Sequence, residues 1–176
     1  MDAVVESRRR GGEAEVTPGA ERRKGNLLLL HWQSLRRGRP FPALADIGPE
    51  SIPALWRFCF IAGRGRDGLV FSYVGHAVNR GYGMGEGPTT GGISRVLMNV
   101  LEGPCNGVYR SMRPELFEGV APNGRGDELR YRACVCPLSE NAGDVSHVFG
   151  LIDYVELRRE IVKGVQIETD IDPDGL

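Results

Sequence analysis

The sequence predicts an α+β domain built on a five-stranded antiparallel sheet, on three observations. Residues 56–62 and 69–74 carry strand-like alternation and are joined by the Gly-rich turn at residues 63–68. Three further strand-like segments follow residue 114, and stretches with helical spacing precede and separate the two groups. Strands joined to their chain neighbours by short turns pair antiparallel, and helices placed between runs of strands give an α+β class.

Taken in order, residues 1–25 are rich in Arg, Glu and Gly and poor in large apolar side chains, so they read as a tail that cannot offset its ordering entropy. Asn26 is a good N-cap for a helix with the amphipathic run Leu27, Leu30, His31, Trp32 and Leu35, and Gly38 closes it. Pro40, Pro42, Pro49 and Pro53 then force an extended crossing with at most a turn of helix over residues 49–55. After the first hairpin, residues 76–92 are Gly-rich and poorly periodic, which suits a flexible wall. Residues 93–101 have helical spacing that Gly103-Pro104 is expected to stop, with a second short helix over residues 105–112. Strands are predicted at 115–121, 128–136 and 145–155. A helical turn at 157–162 and an acidic tail with Glu168, Asp170, Asp172 and Asp174 complete the chain. The domain proper therefore spans residues 26–156, between the tail 1–25 and the segment 157–176.

Composition narrows the function. A chain of 176 residues suits one domain, and at 41% hydrophobic and 26% charged residues it is ordinary globular protein. With 22 basic against 23 acidic residues it lacks the net basic balance of a nucleic-acid binder. The aliphatic run 27–30 falls far short of the roughly 20 residues that span a bilayer, and the basic clusters of residues 1–25 flank no apolar secretory segment. The expectation is a cytoplasmic protein with no membrane contact. Cys59, Cys105, Cys134 and Cys136 lack the paired spacing of a zinc site, and Cys134-x-Cys136 fits a strand.

No catalytic or metal-binding constellation stands out. The run Gly81-Tyr82-Gly83-Met84-Gly85 lacks the Lys-Ser/Thr of a phosphate loop, and His31, His76 and His147 fall on separate elements. If the fold encloses a ligand, the strand aromatics Phe71, Tyr73, Tyr131 and Phe149 are expected to line it, with His76 at its mouth.

Several motifs together suggest a family. His31-Trp32, Leu35-Arg36-Arg37-Gly38-Arg39-Pro40, Asp46-Ile47-Gly48-Pro49 and Ile52-Pro53 stand in the order seen at the start of bacterial PAS-like domains of the PAS_5 type. A strand ending at Gly75, then Pro137-Leu138-Ser139 and Phe149-Gly150, extend the resemblance over residues 27–155. Thr90-Gly91 matches the family's pattern, whereas Gly85, Glu86, Gly87 and Pro88 depart from it. The resemblance implies a PAS-like five-stranded antiparallel sheet with short helices on one face and an N-terminal helix extension. It also implies a non-catalytic sensory or regulatory role in bacterial signalling, exercised through a small ligand, protein–protein contacts or both. An unidentified signalling protein and a homodimer are the implied partners. The Asn-Cys-Arg-like motif of flavin-binding relatives is not visible, nor is a histidine in residues 93–101 where haem-binding relatives place one, so the cofactor stays open. Two alternatives stand beside this reading. One is a small α+β enzyme acting on an apolar molecule with Asp153 or His76 as acid or base; the other is a ligand-free adaptor.

Overall fold

The structure is a computed structural model and describes residues 18–82, 93–123, 125–141, 143–162 and 165–171. Its helices are α1 (Pro18–Arg36), α2 (Pro53–Trp56), α3 (His76–Gly81) and α4 (Arg95–Ser111). Its strands are β1 (Cys59–Gly65), β2 (Gly68–Val74), β3 (Glu115–Pro122), β4 (Glu128–Leu138), β5 (His147–Val162) and β6 (Val165–Ile171). Five strands form an antiparallel sheet in the order β2-β1-β5-β4-β3, and β6 pairs with the far end of β5. The class is α+β.

Alternation along the central strands decides where the helices lie. In β1, Phe60 and Ala62 enter one core cluster while Cys59 and Ile61 enter another. In β5, Val148, Ile152 and Tyr154 likewise oppose Phe149 and Leu151. A sheet with both faces apolar must be covered twice. Helix α4 covers the first face with Leu97, Leu101, Cys105 and Val108, joined by Val78 and Tyr82 from α3 and the residue after it. Helix α1, the expected N-terminal helix extension, covers the second with Leu28 and Trp32.

Helix α1 starts well before Asn26, which is exposed in mid-helix. Pro18 is already set for a first helical turn, and Ala20 to Lys24 contain no helix breaker. The predicted tail is thus helical from Pro18 onward, and residues 1–17 lie outside the described residues. Three contacts clasp α1 to the sheet. Trp32 Nε1 donates to the Pro137 carbonyl at 2.8 Å, Lys24 pairs with Asp153 at 2.8 Å, and the Lys24 ammonium lies 4.1 Å from the centre of the Phe58 ring. The Pro-rich crossing is pinned as well. Leu44 N donates to Ser139 O and Ser139 N to Pro42 O, while Arg39 holds Asp46 and lowers its carboxyl below the usual range.

The strand predicted at 56–62 begins three residues late, because Pro53 opens α2 and the amides of Leu55 and Trp56 bond Ile52 O. Helix α4 runs through Gly103-Pro104, where a stop was expected. Leu97, Val100, Leu101, Cys105, Val108 and Tyr109 form one buried stripe on both sides of the proline. Burying that stripe outweighs the single hydrogen bond that a proline removes. Ser94 Oγ accepts from Leu97 N to start α4, and Met112, left-handed at φ 54°, ends it. The helical turn predicted at 157–162 is instead strand. β5 continues to Val162 and returns as β6, which takes in Glu168 and Asp170 of the expected acidic tail.

Replacing Pro104 with Ala restores an amide facing the Val100 carbonyl. It is expected to stabilise the domain by about 1–2 kcal/mol, the helix gain less the lost stiffening of the unfolded chain, read as a higher urea midpoint.

Candidate functional site on the helix side of the sheet

The predicted ligand-lining residues divide between the two faces of the sheet. Phe71 is buried with the α4-side cluster, and Tyr131 packs against the same cluster. Phe149 is buried on the α1 side, where Tyr73 stacks on Trp56 with ring centres 4.6 Å apart and donates to the Trp56 carbonyl. A bulge is the cause of this split within β2. Ile61 pairs with Tyr73 and Ala62 with Phe71, which leaves Ser72 without an opposite residue and turns Tyr73 to the other face. His76 is the first residue of α3 and is partly exposed. Part of the flexible wall expected over 76–92 is α3, and residues 83–92 lie outside the described residues.

On the α4 side the structure assembles a tyrosine cluster of which sequence reasoning found one member. Tyr131 of β4 and Tyr154 of β5 are register partners, and the Tyr131 hydroxyl lies over Gly119, its partner on β3. The end of α3 rests on the Tyr154 ring at Gly81, where any Cβ would collide with it. Tyr154 Oη donates to the Ala77 carbonyl at 3.1 Å and so fixes α3 from beneath. Tyr82 follows α3, 1% exposed, and meets Tyr154 edge-on with ring centres 6.0 Å apart. Its hydroxyl is buried and has no hydrogen-bond partner among the described residues.

That hydroxyl is the unusual group of the site. An unsatisfied buried polar group costs about 1–3 kcal/mol, so a native fold keeps one where something else bonds it or where it has a role. Burial, followed by the nearby Tyr131 and Tyr154, pushes the Tyr82 phenol well above its ordinary value, so it faces the cluster as a neutral donor and acceptor. The sequence signal was available: Tyr82 stands four residues after Val78, on one face of a helical turn, but the surrounding glycines masked it.

The remaining candidates are placed as follows. Asp153, 6% exposed, faces α1 and is held by Lys24 and by the Tyr154 amide. His31 Nε2 lies 3.1 Å from Ser51 Oγ, and burial lowers its pKa. His147 Nδ1 lies 3.0 Å from Ser146 Oγ. Cys59, Cys134 and Cys136 are free thiols buried beneath α1, with Cys134 Sγ and Cys136 Sγ 3.8 Å apart, and burial raises the Cys59 thiol. Among the described residues no group of three His, Cys, Asp or Glu side chains is arranged to hold a metal ion, and no helix is long and apolar enough to cross a membrane. The sequence matches no family model and no curated protein.

Two outcomes follow for the cluster. Tyr82→Phe is expected to leave the stability of the unliganded domain unchanged or raise it by about 1 kcal/mol, while Tyr154→Phe, which removes the hydroxyl's hydrogen bond to the Ala77 carbonyl, costs about 1 kcal/mol; urea titration separates the two. Burial also raises Tyr109 and Cys105 to about 12. Groups that hold their protons more tightly when folded add stability below their unfolded values, and that stability is lost as pH rises toward the folded ones. The urea midpoint should therefore be insensitive to these groups below the thiol value of 9.0 and fall steadily above the phenol value of 10.0.

Proposed function

We propose that the chain is a PAS-like sensory or regulatory domain that binds a small molecule at the tyrosine cluster and signals by changing the surface it shows to a partner protein. The observation that carries this reading is the buried hydroxyl of Tyr82 between the sheet and its helices, which has no hydrogen-bond partner among the described residues. The element order supports it: two strands, two helices and then β3, β4 and β5, with β5 at the centre of the five-stranded sheet and β6 added beyond it, contains the arrangement that a PAS domain uses to hold a ligand against its helices.

The route from ligand to surface runs through α3. Val78 and Tyr82 belong to the α4-side core, whereas Ala77, between them and the start of the helix, packs with the α1-side core. The Ala77 amide also bonds the Arg57 carbonyl. A ligand that bonds Tyr82 and reorients it displaces α3, and through Ala77 it alters the bed on which α1 lies. The size of the response is bounded by the ligand's difference in affinity for the two arrangements.

Native mass spectrometry of the gently purified chain, with an absorption spectrum of the same sample, tests this. The expected result is a bound small-molecule mass in the wild type that is reduced or absent in Tyr82→Phe. A bare polypeptide mass across growth conditions overturns the ligand-binding reading.

A further inference from the structure

We infer that Cys134 and Cys136 form a two-coordinate site for a soft monovalent cation, the cuprous ion. The inference is independent of the tyrosine cluster, which lies on the opposite face of the sheet. The two cysteines are two residues apart on β4, so their side chains share the α1 side. Their sulfurs lie 3.8 Å apart, and both residues are 0% exposed. Two thiolate–metal bonds of about 2.3 Å set in line span about 4.6 Å, so small rotations of the two side chains place one ion between the sulfurs.

Hydrogen bonding singles out this pair among the four thiols. Cys59, in the same core, donates to the Leu55 carbonyl at 3.3 Å, and Cys105 lies in the other core. Cys134 and Cys136 have each other, so two S–H protons share one S–H···S contact. The number of ligands then selects the ion. Zinc takes four, and among the described residues no group of three or more Cys, His, Asp or Glu side chains is arranged to supply them. Soft thiolates favour Cu(I), which two of them satisfy. The binding step balances: each thiol gives its proton to water, two Cu–S bonds form, copper stays Cu(I), and the bis-thiolate carries one negative charge. Lys24 supplies a cation on the same side, its ammonium 4.1 Å from the centre of the Phe58 ring in that core.

The structure also provides an approach. Leu116 of β3 and Leu151 of β5 are the register partners of Cys134, and both line a hollow of about 380 Å³ that reaches Gly25 and Asn26 of α1. Gly25 sits above Cys134: a Cβ added there would lie 3.6 Å from the Cys134 Cβ and 3.2 Å from Leu116 Cδ2. With no side chain at Gly25, local opening of α1 at this turn joins the hollow to the thiols and leaves the sheet intact.

The test is an anaerobic titration of the full chain with Cu(I) in competition with bicinchoninate, with urea unfolding and copper X-ray absorption on the same samples. Expected are one Cu(I) per chain, two sulfurs bonded to it, and a urea midpoint raised by the ion, because a site formed by folding stabilises the fold when filled. Cys134→Ala and Cys136→Ala should each weaken binding by on the order of a hundredfold, as one of two ligands is lost. Cys59→Ala and Cys105→Ala should bind as the wild type does. The midpoint shift needs no variant, so it decides even if a core substitution unfolds the chain. A midpoint that copper leaves unchanged or lowers means that the folded pair is no better a ligand than the unfolded chain, and overturns the inference. So would loss of binding in Cys59→Ala, a sulfur count other than two, or binding that survives removal of both Cys134 and Cys136.

Discussion

The structure depends on β5 being apolar on both faces. Phe149 and Leu151 point one way and Val148 and Ile152 the other, all essentially without exposure. A strand of this kind is stable only as an inner strand with cover above and below. Its neighbours β1 and β4 inherit the same requirement, and the chain meets it with α4 on one side and α1 on the other. Close approach is built into the same strand: Gly150 lies directly against the Phe60 ring, where a side chain would collide.

The two covers are attached in different ways. Helix α4 is held by a long apolar stripe and by Tyr109, whose hydroxyl reaches the carbonyls of Ala62 and Ser146 at 3.2 Å each. Helix α1 relies on fewer apolar side chains together with the Trp32 hydrogen bond and the partly buried Lys24–Asp153 pair. Removing one partner of such a pair leaves the other charge poorly solvated, so the pair fixes the position of α1 more than it adds net stability. α3 is a short element in contact with both cores, through Val78 on one side and Ala77 on the other.

Much of this was legible in the sequence. Alternation at residues 128–136 placed Leu129, Ala133 and Val135 opposite Cys134 and Cys136, and the structure keeps that division. The turn at 63–68 and the short helix near Pro53 were equally readable, because Gly and Pro act locally. Tertiary burial decided the rest. Nothing local reveals that a stripe on both sides of Pro104 carries α4 through it, or that the bulge at Ser72 turns Tyr73 away from Phe71. The candidate site was half visible for the same reason. Tyr131 announced itself by alternation, whereas Tyr82 and Tyr154 became a site when β4, β5 and α3 converged.

The cysteines give this arrangement an internal clock. Cys59, Cys134 and Cys136 lie in the α1-side core, while Cys105 lies on α4 in the other. All four are buried, so an alkylating reagent modifies them as the folded chain opens to admit it. The three thiols under α1 thus record how often that helix lifts, and Cys105 records the opening of the opposite side in the same sample. A change that loosens one cover alone separates the two labelling rates, so the chain carries a reporter for the independence of its two faces.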